Sequence, residues 1–131
     1  MCSSDLWEKI LEEAGRLGYD GIEIRGLEGE MFLPKARPFL PENLEQTKKD
    51  LKQQGLEIIC LDTSCSLHDE SGYQTNMEEG KATIDLAQEL GVPYIRVFGN
   101  NIPNPDEKQH TIRWVAKCLE ELGEYAEDKD V

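Results

Sequence analysis

The sequence predicts an α/β fold built on parallel strands, and three glycines carry that prediction. Gly18, Gly55 and Gly91 each end an amphipathic, charge-rich segment, and each is followed by a short apolar run. The runs are Tyr19-Asp20-Gly21-Ile22-Glu23-Ile24-Arg25, Leu56-Glu57-Ile58-Ile59-Cys60-Leu61 and Val92-Pro93-Tyr94-Ile95-Arg96-Val97-Phe98. Successive glycines lie 37 and 36 residues apart. A glycine behind a helical pattern can take the left-handed conformation that closes a helix. A β-rich run directly after it reads as a strand. Helix, glycine and strand at this period build parallel βα units, because parallel strands need long crossovers.

Each element follows from its own pattern. A helix over 5–17 places Leu6, Ile10, Leu11, Ala14 and Leu17 on one stripe, and a strand follows at 19–25. The second helix starts near Pro41, a residue suited to a first turn, and runs to Gln54 with Leu44 and Leu51 inward. The second strand is 56–62, with Cys60 as a small core residue. The third helix, 75–90, carries Met77, Gly80, Ile84 and Ala87 on one face, and the third strand is 93–98. The last helix, 106–127, aligns Ile112, Val115, Leu119, Leu122 and Ala126. Helix-to-strand joints are short, whereas the segments after the strands (Gly26–Leu40, Thr63–Gln74, Gly99–Pro105) are long. In parallel α/β folds those segments meet at the C-terminal ends of the strands, where active sites are built.

Composition narrows the function classes. The 131 residues suit one domain, and 27 acidic against 14 basic residues give a net charge of −13. Such a surface repels nucleic acid and anionic membranes. No apolar run approaches the roughly 20 residues of a membrane span, and no secretory h-region opens the chain. Cys2, Cys60, Cys65 and Cys118 form no C-x-x-C spacing, so neither a zinc site nor a disulfide framework is expected, and a reducing cytoplasm fits. The first six residues, Met1–Leu6, read as non-native. With a GTG start they back-translate to GTG-TGC-TCT-TCC-GAT-CT, which resembles the end of a common sequencing adapter. The competing reading is a genuine N-terminus in which Ser4 or Asp5 caps the first helix. The domain itself is taken as 7–131.

Two phrases carry a family resemblance. Leu17-Gly18-Tyr19-Asp20-Gly21-Ile22-Glu23-Ile24-Arg25 and Leu86-Ala87-Gln88-Glu89-Leu90-Gly91-Val92-Pro93-Tyr94-Ile95-Arg96-Val97 resemble the sugar phosphate isomerase/epimerase family, whose members have the xylose-isomerase-like TIM barrel. A full barrel takes about 250 residues and eight strands. The resemblance therefore implies an incomplete (β/α)8 barrel of three parallel strands and four helices, similar to barrel strands two to four. Strand one and the C-terminal half are then missing. It also implies a sugar or sugar-phosphate substrate and a divalent metal (Mn, Mg or Co) for the complete protein. The family's metal ligands (two Glu, an Asp and a His) and its catalytic glutamates come from later strands. The chain alone is accordingly expected to hold no metal and to be inactive.

Alternation nominates the residues that line a site. Ile22 and Ile24 share one strand face, and Glu23 and Arg25 the other; Ile95 and Val97 share one, and Tyr94, Arg96 and Phe98 the other. With the aliphatic faces on the helices, Glu23, Arg25 and Arg96 point into the barrel. There they either line the substrate pocket or form an internal ion pair. His68, beside Asp69 in the loop after the second strand, either bonds a sugar hydroxyl, serves as a metal ligand as the resemblance implies for the endonuclease branch, or is solvated. Asn100 and Asn101 either bond hydroxyls or support the turn. His110 reads as surface. Met31, Phe32, Leu33 and Phe39 form a lid or local packing. Three functions compete: a metal-dependent isomerase/epimerase fragment, an apurinic endonuclease-like DNA repair fragment, and a non-enzymatic half-barrel that dimerises. The endonuclease branch uses many His and a basic groove, against two His and strong negative charge here. Three strands cut from a barrel leave two open edges, so self-association through them is expected.

Overall fold

A computed structural model describes residues 6–99 and 101–131. The elements are α1 (Trp7–Arg16), β1 (Gly21–Arg25), α2 (Leu44–Gln54), β2 (Glu57–Ser66), α3 (Tyr73–Leu90), β3 (Tyr94–Phe98) and α4 (Lys108–Ala126), with short 3₁₀ turns before α2, α3 and α4. The three strands form one parallel sheet in the order β1-β2-β3. Each helix-to-strand joint turns on a glycine of positive φ: Gly18 at 81°, Gly55 at 68° and Gly91 at 71°.

All four helices pack on one side of the sheet. Ile22, Ile24, Ile58 and Leu61 bury against Ile10, Leu11 and Ala14 of α1, Leu51 of α2 and Leu86 and Ala87 of α3. A second cluster joins Cys65, Met77, Ile84, Cys118, Leu122 and Ala126, with Ile95 and Val97 packed against it. α3 and α4 approach closely at Gly80, where a Cβ would lie 2.7 Å from Leu122 Cδ2. The opposite face of the sheet, carrying Glu23, Arg25, Ile59, Tyr94 and Arg96, has no covering layer among the described residues. Among the described residues no helix is long and apolar enough to cross a membrane.

Several expectations need correction. β2 runs four residues beyond Leu61-Asp62, to Ser66, so the loop after it is shorter than the sequence pattern suggests. Cys60 does not join the helix-side core. The β1–β2 register passes from Ile22↔Ile58 to Glu23↔Cys60, leaving Ile59 as an extra residue. That bulge changes the phase of alternation, so Cys60 and Asp62 share the open face with Glu23. Gly21 makes the bulge fit, because a Cβ there would collide with Ile59 Cδ1. On α4 the apolar stripe is split: Cys118, Leu122 and Ala126 are buried, whereas Ile112 and Leu119 remain 47% exposed. Leu17 closes α1 as an exposed C-cap residue instead of extending its stripe. Of the two readings of the Met31–Phe39 cluster, local packing describes Leu33 and Phe39, which are buried, with Phe39 edge-on to Trp7 at 5.8 Å between ring centroids. The N-cap of α1 is Leu6, with no side-chain cap; Met1–Asp5 lie outside the described residues.

Candidate functional site

The open face is organised in rows across the strands. Parallel register aligns Glu23, Cys60 and Tyr94 in one row, and Arg25, Asp62 and Arg96 in the next toward the strand C-termini. Phe98, paired with Ser66, ends the face. Both polar rows follow from the Ile59 bulge, which turns Cys60 and Asp62 toward Glu23 and Arg96.

Asp62 is the centre of the cluster. Its side chain is 3% exposed, and Arg96 Nη1 lies 3.8 Å from its Oδ2 and 3.8 Å from Glu23 Oε1. Cys60 Sγ lies 3.5 Å from Asp62 Oδ1. Burial, reinforced by the neighbouring Glu23 carboxyl, pushes the Asp62 carboxyl up to about 6, with Arg96 pulling the other way. Burial and Asp62 together push the Cys60 thiol up to about 12, so it stays a thiol at neutral pH. Asp62 therefore takes up a proton at about pH 6, far above an ordinary aspartate, whereas Glu23 and Arg96 stand partly in solvent beside it. Glu23, Arg25 and Asp62 also line an open cleft of about 560 Å³ with Leu17 and Tyr19, along the free edge of β1.

The second half of β2 is held by α3. Ser64 donates from its backbone N–H and its hydroxyl to Glu79, at 2.6 Å each. The Asn76 side-chain amide accepts from Ser66 N–H at 3.3 Å and donates to Ser66 C=O at 2.9 Å, as a neighbouring strand would. Thr63 Oγ1 donates to Arg96 C=O at 2.8 Å, spanning the bulge in which three residues of β2 face one of β3. These bonds fix the segment directly after Asp62.

One donor atom each from Glu23, Cys60 and Asp62 lies within 4.8 Å of the others, a grouping that could hold a metal. The surroundings do not fit a divalent ion. A guanidinium already stands 3.8 Å from both carboxylates, and the thiol resists becoming the thiolate that a metal binds.

The nominated residues are distributed unequally. Glu23, Arg25 and Arg96 share the open face. His68 belongs to a separate cleft of about 530 Å³ with Ser66, Asp69, Glu70, Ser71 and Asn101, and its Nδ1 is buried without a partner among the described residues. His110, read as surface, pairs with Glu70 at 2.9 Å. Asn100 lies outside the described residues. Asp62, Cys60 and Glu79 were not nominated by the sequence. A charged residue directly after Ile-Ile-Cys-Leu was the available signal for Asp62.

A family model described as xylose isomerase-like TIM barrel matches residues 11–131. The chain belongs to this family. Among solved structures it is similar to a xylose isomerase-like TIM barrel protein from Mycobacterium smegmatis in complex with magnesium. That match has a TM-score of 0.67 at 19% identity and covers 95% of this chain and 44% of the other. It is also similar to a "putative sugar phosphate isomerase/epimerase" from Anabaena variabilis, with a TM-score of 0.51 at 20% identity, covering 98% and 49%. At such identity the likeness shows the fold, and the chain spans less than half the length of either protein. No curated protein matches it. The three strands and four helices are thus part of a xylose isomerase-like barrel, and the open face of the sheet corresponds to the barrel interior.

Proposed function

We propose that this chain supplies one sugar-facing wall of a sugar or sugar-phosphate isomerase/epimerase, and that it is a fragment inactive by itself. The observation that carries the reading is Asp62. It is a buried carboxyl of raised proton affinity, flanked by Glu23 and Arg96, on the interior face of a barrel of this family. Aldose–ketose isomerisation and epimerisation move a proton next to a carbonyl, which requires groups that orient the sugar and hold protons nearby. Asp62, when protonated, donates a hydrogen bond to a sugar hydroxyl. Glu23 accepts one, and Arg96 donates to hydroxyl or carbonyl oxygens. A divalent metal in the complete protein would supply Lewis-acid stabilisation of negative charge on the substrate oxygen, and Glu23, Cys60 and Asp62 would orient the sugar and not hold that metal. The same reading makes the free edges of β1 and β3 sites of association.

Thermal melting of the chain with aldoses, ketoses and their phosphates tests the reading. A ligand at 100 times its Kd stabilises by about 2.7 kcal/mol. At least one carbohydrate is expected to raise the melting temperature, Glu23→Ala or Asp62→Ala is expected to abolish the rise, and Asp62→Asn, which keeps a donor, is expected to retain it. Failure of every carbohydrate to stabilise the folded chain would sink the proposal.

A further inference from the structure

We propose that α4 carries a self-complementary face through which two copies of this chain pair, their α4 helices antiparallel across a two-fold axis at Ala116. The contact is helix against helix, independent of the sugar-wall reading and distinct from the pairing of open strand edges. α4 has two apolar stripes. Thr111, Cys118, Leu122 and Ala126 are buried against the rest of the chain. Ile112, Ala116, Leu119 and Gly123 follow one another at spacings of four, three and four, and all are exposed. The first three line a groove of about 360 Å³ with Gly99, Ile102 and Val115, and no element among the described residues covers it.

The charges along α4 select what that face meets. Its basic residues, Lys108, Arg113 and Lys117, all precede its acidic ones, Glu120, Glu121 and Glu124. This is the reverse of what the helix macrodipole favours, since anions belong at the N-terminal end and cations at the C-terminal end. An antiparallel copy offers the opposite order, in charge and in dipole. Arg113 and Glu120 are seven residues apart, about two turns, so both flank the exposed stripe on the same side. Both are exposed, and the ion pairs that α4 makes within the chain use Glu121 and His110 instead. Ala116 lies three residues from Arg113 and four from Glu120, and likewise three from Leu119 and four from Ile112. A two-fold axis there sets Arg113 opposite Glu120 of the second copy, and Ile112 opposite its Leu119, each twice. The small Ala116 side chain lets the helices approach at the crossing, and Leu119 of each copy enters the groove beside Ile102 of the other. Such an isologous contact closes at two copies. A strand laid in the groove would cover the stripe but leave the charge order of α4 unanswered.

Sedimentation velocity of the full chain over a wide concentration range, with oxidative cross-linking at Ala116, tests the pairing. A monomer–dimer equilibrium is expected. Arg113→Glu and Glu120→Arg each set like charges opposite one another twice per dimer, and each should raise the dimer dissociation constant about tenfold. The double variant exchanges the two charges and should restore an affinity close to that of the wild type. Ala116→Cys should give a covalent dimer under mild oxidation, whereas Lys49→Cys, exposed on α2, should not. Circular dichroism of each variant establishes that it is folded. A chain that stays monomeric at every concentration would overturn the pairing. Association that ignores both charge reversals and yields no Ala116→Cys link would overturn it as well, and would assign the contact to the strand edges or the interior face. Single reversals that weaken the dimer, with no recovery in the double variant, would overturn the antiparallel register.

Discussion

Asp62 is buried on a face where Glu23 repels its charge and Arg96 only partly offsets the cost. Its carboxyl is raised from 3.8 to about 6, so folding binds its proton more tightly than the unfolded chain does. Stability from this residue is greatest below pH 3.8, falls as pH rises toward 6, and stays low above that. A shift of this size corresponds to a cost on the order of 3 kcal/mol at neutral pH. Asp62→Asn is therefore expected to melt higher than wild type at pH 7 and at the same temperature near pH 4. A variant less stable than wild type at pH 7 would show that the Arg96 contact outweighs burial. Glu23, Arg25 and Arg96 were legible in the sequence because simple alternation holds through β1 and β3. Asp62 and Cys60 were not, because one extra residue, Ile59, shifts the phase of β2, and a bulge leaves no periodic trace.

The glycine-terminated helices were legible as elements because their apolar spacing is helical and each joint demands a positive φ. β2 was the exception. Its second half, Thr63–Ser66, is polar and is paired by side chains from elsewhere, Glu79 and Asn76 on α3, so local pattern could not extend the strand. Glu79→Ala removes two charge-assisted bonds to Ser64 and should cost about 1.5–3 kcal/mol, with Glu79→Gln costing less. Because Cys65 is fully buried beside this segment, Glu79→Ala should also speed its labelling by a thiol reagent. Unchanged stability and labelling would mean that Glu79 does not hold the bulge. The stripe of α4 was read correctly in period but not in partner. Ile112 and Leu119 look onto a groove with Ile102 and Val115, and no element among those described covers it.

For the whole molecule, the exposed large apolar residues other than Leu6 fall into a few places that a closed barrel would cover. Leu17 and Tyr19 lie beyond β1, Ile102, Ile112 and Leu119 beyond β3, and Ile59 and Tyr94 on the interior face. A parallel sheet whose two edges and one face are uncovered among the described residues favours association. Size-exclusion chromatography with light scattering is expected to show dimers or larger species. A sharp cooperative melt from a species of monomer mass across a wide concentration range would show that the half-barrel is self-sufficient.

The central claim is that the interior face of this sheet is where a sugar lies. Amide chemical-shift mapping of the ¹⁵N-labelled chain, titrated with the carbohydrate that most raises its melting temperature, tests it most directly. The shifts are expected to concentrate at Glu23, Arg25, Cys60, Asp62, Arg96 and Phe98, and to vanish in Asp62→Ala. Shifts confined to the His68 cleft or to the helix-covered side, with this face unmoved, would contradict the account.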